Sequence, residues 1–250
     1  MRDRQEAQAR LEAQAQRSAL EDVVEAASAT PSVTLAMVQS DPELLAYMQM
    51  GDDYLGVIGY TEHGLRHANL TAHIAGNVLR RLGYDDRTAE LGAIAGFCHD
   101  IGNCVSRSEH WISAAFIARA ALERLGMPYH EIAIVMNAVG NHEEDASDPA
   151  TPVAAACILA DKTDVHHTRV RTPEREGHDI HDRVNYAVKR SFLRVNEDER
   201  TLTLEIDIDT SETQIMEYFE IFIERMQLCR SAAEVLSASF SLVINGVKLL

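Results

Sequence analysis

Cys98-His99-Asp100-Ile101-Gly102-Asn103 sets an imidazole and a carboxylate side by side at the end of an apolar run that carries Leu91, Ile94 and Phe97. Neighbouring side chains on a regular helix point about 100° apart, so the two can aim at one centre only where the helix ends. Gly102 reads as the residue that lets the chain turn there. The His-Asp dipeptide alone says little, because His178-Asp179 and His181-Asp182 repeat it. Those copies lack the apolar helix before and the glycine after, and they read as surface or capping pairs.

Working outward, residues 61–83 carry Leu70, Ile74, Val78 and Leu82 at three- and four-residue steps, a helix closed by Gly83 that puts His67 on its apolar stripe. His63, four residues earlier, is placed on the same face one turn away. A second helix starts near Asp85 or Asp86 and ends at His99-Asp100; a third runs from about Glu109 to Leu125 before Gly126-Met127-Pro128. A fourth takes Ile132, Val135, Met136 and Val139 to Gly140, and a fifth begins near Pro152. That fifth helix, Ala154-Ala155-Ala156-Cys157-Ile158-Leu159-Ala160-Asp161, ends an apolar run on a carboxylate that is costly to bury without a cation.

This order, a helix-borne His67, then His99-Asp100, then Asp161, resembles the HD superfamily over residues 55–170. The resemblance implies a mainly α fold, a helical HD-domain bundle, with His67, His99, Asp100 and Asp161 as ligands of a divalent metal. It also implies hydrolysis of a phosphate ester or anhydride. Two imidazoles and two carboxylates leave open positions on an octahedral ion and suit Mn, Fe, Co, Ni, Mg or Zn better than a closed thiolate zinc site. One ion is expected, with water activated on it as the nucleophile. Two-metal members, including the HD-GYP phosphodiesterases, have further histidines in an order similar to His110 and His142, so a second ion bridged by Asp100 is the added expectation. Here Asn141 stands where a His-His pair is common, Asn103 replaces the lysine that follows HDIG in the HD-GYP group, and no GYP text is present.

Lys162, His166, His167, Arg169 and Arg171 form the basic patch of an acidic chain. Arginine forks match phosphate, so Arg169 and Arg171, with Lys162 and His63, are the expected substrate-binding residues. The competing reading is a solvated loop with Asp164 and Glu174 as charge partners. Asp100 and Glu143 are the expected catalytic residues; Glu109, Glu143 and Glu144 could each donate a proton if burial raised the pKa, and Glu143 is the favoured one.

The tail changes period. Leu202, Leu204, Ile206 and Ile208 alternate with polar residues, and Asn196 to Glu199 turn this strand back on Phe192 to Val195. Ser211 with Gln214 suggests a capping box for a helix carrying Ile215, Phe219, Phe222, Met226 and Ala233, before a strand with Phe240, Leu242 and Ile244. The tail thus reads β-β-α-β. Residues 1–30 are expected to form a helical arm, 31–190 the HD domain and 191–250 an α+β subdomain.

A chain that is 46% hydrophobic over 250 residues can bury one core of moderate size. The formal charge of −16 disfavours long nucleic acid and anionic membranes and leaves a small phosphorylated substrate as the expected partner. No apolar run of ~18 residues and no signal core occur, so a cytoplasmic protein is expected. Cys98, Cys104, Cys157 and Cys229 are scattered without a CxxC pair, which points to neither a thiolate zinc site nor a disulfide framework. The hairpin and N-terminal helix are compatible with a homodimer. Two rival functions share the ligand order: a diiron HD-fold oxygenase, and a regulatory or scaffold protein whose metal holds the bundle together.

Overall fold

A computed structural model describes residues 32–146, 148–171 and 179–249. The N-terminal arm, Glu174 and His178 lie outside the described residues.

A short helix α1 (Leu35–Gln39) leads into α2 (Pro42–Val57), whose N-terminus is set by Pro42 and by the Asp41 carboxylate accepting from the Glu43 and Leu44 amides. The helix α3 (Leu65–Arg81) begins four residues later than its apolar stripe suggests. The reason is tertiary: the Glu62 amide donates to the Arg169 carbonyl, the His63 amide to Asp52 and the Gly64 amide to the Glu62 carboxylate. His63 therefore sits in an extended entry to α3 and not on the helix.

Next comes α4 (Asp86–Cys98), capped by Asp85 and buried from Leu91 to its end. A 3-10 turn (Ile101–Cys104) follows, and then α5 (His110–Leu125), α6 (Tyr129–Gly140) and α7 (Pro152–Lys162). Every residue of α7 from Val153 to Ala160 is buried, as expected of a helix apolar all round. α3 crosses α4 closely because Gly96 has no side chain: a Cβ there would lie 2.9 Å from the Thr71 backbone. That approach brings the His67 end of α3 to the His99 end of α4.

After a 3-10 turn (His167–Arg169) and α8 (Ile180–Ala187), the tail forms β1 (Val188–Asn196), β2 (Thr201–Ile208), α9 (Ile215–Val235), β3 (Ser239–Ile244) and a two-residue β4 (Val247–Lys248). The sheet order is β1-β2-β3-β4. β1 and β2 are antiparallel with Leu193 opposite Leu204, and α9 carries the chain over to β3, parallel to β2 with Leu204 beside Leu242. The β-β-α-β order thus gains a short antiparallel edge. The capping box of α9 is Gln214 with Glu217, not Ser211 with Gln214, because Ser211 gives both its amide and its hydroxyl to Asp209 in the preceding turn.

Two apolar clusters fill the molecule. Among the described residues, one joins α1, α2, α4, α5, α6 and one face each of α3 and α7; the other joins the opposite faces of α3 and α7, α8, the sheet and α9. The tail layer therefore shares a core with the bundle through Ala75, Leu79, Ile158 and Leu159. The architecture is mainly α, with one small sheet.

Candidate metal centre

Four donors from three helices meet at one point. His67 is in the first turn of α3, His99 caps the C-terminus of α4 with Asp100 next to it, and Asp161 is in the last turn of α7. His67 Nε2 lies 3.0 Å from His99 Nε2, 3.2 Å from Asp161 Oδ1 and 3.5 Å from Asp100 Oδ2. His99 Nε2 lies 3.3 Å from Asp100 Oδ2 and 3.5 Å from Asp161 Oδ1. Ligands about 2.1 Å from an octahedral ion stand roughly 3.0 Å apart across a right angle, so these spacings suit a shared cation.

The outer ring nitrogens decide what the inner ones offer. His67 Nδ1–H donates to Asp164 at 2.7 Å, and His99 Nδ1–H donates to the Gly96 carbonyl at 2.8 Å. Both Nε2 atoms then present lone pairs to one small space. The Asp100 Oδ2 atom in that space is buried and has no hydrogen-bond partner, the kind of orphan a cation satisfies. The local potential is strongly negative: burial opposes charge on His99, yet the Asp100 and Asp161 carboxylates raise its imidazolium to about 10. Burial also opposes charge on those carboxylates, but His99 beside Asp100 and Lys162 beside Asp161 hold both well below the usual carboxylate range. A divalent ion fits this donor set, and its binding competes with the proton on His99.

A second group adjoins the first through the other oxygen of Asp100. His110, the first residue of α5, places Nε2 3.1 Å from Asp100 Oδ1, 3.2 Å from His142 Nε2 and 3.5 Å from Glu143 Oε1. His142 follows α6 and donates Nδ1–H to the Val139 carbonyl at 2.7 Å. Burial and then the neighbouring His99 push its pKa down to about 3. His67, His99 and Asp161, then His99, Asp100 and His142, and then His110, His142 and Glu143 form three overlapping triplets with metal-ligand spacing. Just before His110, Glu109 has the left-handed backbone φ of 53°, uncommon for a residue other than glycine.

Gly102 acts differently from the turn-forming role read in the sequence. It lies inside the 3-10 turn, outside the positive-φ glycines among the described residues, and α5 is pressed against it. A Cβ there would stand 1.9 Å from the His110 carbonyl oxygen and 2.6 Å from the Ala114 amide nitrogen. The glycine is required for contact, which sets His110 beside Asp100.

The expected substrate-binding residues are placed apart. His63 and Arg169 line a cavity of about 490 Å³ that also has Tyr60, Arg107, Asn185 and Arg225 in its wall. Arg169 is buried, its Nε donating to the Glu62 carbonyl and Nη1 to the Asp164 carbonyl, while Nη2 has no partner. His63 has its ring 5.8 Å from that of His67, and burial first, then the Arg169 cation, keeps it neutral, well below its ordinary pKa. Arg171 is bound to Asp52 and to the Tyr60 and Thr61 carbonyls. Lys162 is buried and reaches Asp161 at 2.9 Å, Glu143 at 3.0 Å and Glu144 at 3.3 Å. His166 and His167 stack on each other and turn toward the Lys189 and Val188 carbonyls. Of the repeated His-Asp pairs, Asp179 caps α8 and His181 lines the cavity.

Nothing in the sequence singles out Arg107, which touches both the second group and the cavity, or Arg225, which reaches the cavity from α9. The same holds for Asp164 as the partner of His67. The available signals were slight: Arg107 lies three residues before His110 and Asp164 three after Asp161, helical and turn spacings that many charged residues share.

Residues 60–166 match the family model described as HD domain. An uncharacterised protein of Methanocaldococcus jannaschii, MJ1020, is 25% identical over 195 residues, which cover 69% of this chain and 74% of that protein. Ribonuclease Y of Bacillus pumilus is 27% identical over 119 residues, 48% of this chain and only 21% of the ribonuclease. No helix among the described residues is long and apolar enough to cross a membrane. The match over residues 60–166 spans the candidate ligands from His67 to Asp161, so that segment of the chain is an HD domain.

Proposed function

We propose that the protein is a metal-dependent hydrolase of a small phosphate ester or anhydride, nucleotide-like in size and charge, acting in the cytoplasm. The observation that carries this reading is the divided role of Asp100, with Oδ2 unpartnered among His67, His99 and Asp161 while Oδ1 faces His110, beside a cavity walled by arginines. His67, His99, Asp100 and Asp161 hold the ion. When bound, it supplies an activated water, with pKa lowered toward ~7, and charge neutralisation at phosphoryl oxygens. Arg169 anchors a substrate phosphate through its unpartnered Nη2, held in place by its two backbone acceptors. Neutral His63 closes the wall nearest His67.

Glu143 takes a different part from the proton donor expected of it. Burial favours its neutral form, but the Lys162 ammonium outweighs burial and holds it well below the usual carboxylate range. It acts as an anion that orients Lys162 and Arg107. Lys162 and Arg171 are structural cations in this reading, since their charges are directed at Asp161, Glu143 and Glu144, and at Asp52. The arginines in the cavity wall favour an anionic substrate, as a phosphate ester or anhydride would be. The matched ribonuclease acts, by its name, on RNA, a phosphodiester, which supports the same bond class.

The test is product release from a nitrophenyl phosphodiester and a panel of nucleotides with Mn, comparing the native chain with Asp100→Ala. Hydrolysis that falls by at least 10²-fold in the variant supports the reading. Product formation unchanged by the substitution, or oxygen uptake without phosphate release, overturns it.

A further inference from the structure

The two halves of the centre differ in what already neutralises them. In the first, Asp100 Oδ2 is unpartnered. In the second, a guanidinium is in place. Arg107 Nη1 lies against the His110 ring, 3.2 Å from Nε2 and 3.4 Å from Nδ1. Arg107 Nη2 donates to Glu143 Oε1 at 3.3 Å, and Nη1 lies 4.0 Å from Asp100 Oδ1. Lys162 takes the remaining Glu143 oxygen at 3.0 Å. Two cations therefore already face the imidazole and the carboxylates on which a second ion would depend.

We infer that Arg107 takes the place of a second metal ion among Asp100, His110 and Glu143, so that the chain loads one divalent ion and keeps a fixed organic cation beside it. An arginine is always charged and offers several donors in a planar fork, so it can hold His110 and Glu143 together. A metal entering there must displace it and face its charge at close range. The position is also useful for a phosphate ligand. Arg107 is 23% exposed, lines the cavity and lies over the Tyr60 ring at 5.5 Å, so a donor can turn toward a bound phosphoryl oxygen. This last part rests on the hydrolase reading; the metal count does not.

The experiment is a Mn titration of the metal-free full chain by calorimetry and electron paramagnetic resonance, for the native protein, Arg107→Gln and Arg107→Lys. We expect one tight ion in the native chain and in Arg107→Lys. Arg107→Gln should take a second ion at least tenfold more tightly than the native chain does, with the spectrum of a spin-coupled pair. Two ions of comparable affinity in the native chain, or a single uncoupled ion in Arg107→Gln with an unchanged circular dichroism spectrum, overturn the inference. With hydrolysis as a further readout, Arg107→Gln at one equivalent of Mn should lose at least tenfold in kcat and recover with excess Mn. Absence of hydrolysis in every sample counts against the hydrolase reading alone, because the stoichiometry is decided without it.

Discussion

His67 offers a lone pair inward because Asp164 takes its outer N–H at 2.7 Å, and Asp164 is itself held by Arg66 at 2.8 Å. Burial favours the neutral acid, but the His67 hydrogen bond and the Arg169 cation keep Asp164 well below the usual carboxylate range. Replacing it by an amide that can present N–H to the ring would loosen the tautomer and weaken the ligand. Asp164→Asn should lower divalent-ion affinity about 10–100-fold, measured by chelator competition, with little change in secondary structure. Lys162 has a structural part of the same importance. Its ammonium faces Asp161, Glu143 and Glu144 from a position 1% exposed, so Lys162→Met leaves the buried Glu143 and the partly buried Asp161 and Glu144 without their shared cation. We expect a loss of about 3–5 kcal/mol in urea unfolding at neutral pH, partly restored by adding Glu143→Gln. A variant as stable as the native chain would show that those acids are neutral.

At the scale of elements, the contact between the 3-10 turn and α5 decides whether the two halves of the centre meet. The Cβ of Gly102→Ala would overlap the His110 carbonyl, so the turn and α5 must separate. The expected cost is about 3 kcal/mol or more in denaturant unfolding, accompanied by loss of metal binding. The N-terminus of α9 offers a separate test in acid. The Thr213 hydroxyl first, then Arg183, lower Glu217 from its ordinary 4.5 to about 2. A carboxylate lowered on folding adds stability that is complete above about 4.5 and is lost as pH falls through about 2. Glu217→Gln should therefore be less stable than the native chain at pH 7 and indistinguishable from it below pH 2, as read from thermal melts across that range.

For the whole molecule, the two apolar clusters meet in α3 and α7, so the sheet and α9 are part of the body that supports the centre. Removing residues 191–250 would expose the face of α7 carrying Ile158 and Leu159, together with Leu79 of α3, both helices that carry candidate metal ligands. The truncated chain is expected to be insoluble or to lose its near-ultraviolet dichroism. A cooperative melt with retained metal binding would show instead that residues 31–190 fold alone. The cavity depends on the same assembly, since Phe222 and Arg225 of α9 face Tyr60 and Arg169 across it.

The fold class and the order of the candidate ligands were legible in the sequence because both depend on local signals. Apolar periodicity marks the helices, alternation at Leu202 to Ile208 marks a strand, and Asp161 is conspicuous at the end of an apolar run. Contacts between distant segments carry no such local mark. Tertiary structure alone decided that α3 starts at Leu65, because Asp52 and Arg169 take the amides before it, and that Gly102 serves a close approach to α5. It also decided which cations face which anions: Lys162 and Arg171 were turned to carboxylates, Arg169 was left with a free donor, and Arg107 was set on His110. Spacing along a chain fixes the face of a helix; the partner of a charged group depends on which other elements reach that face.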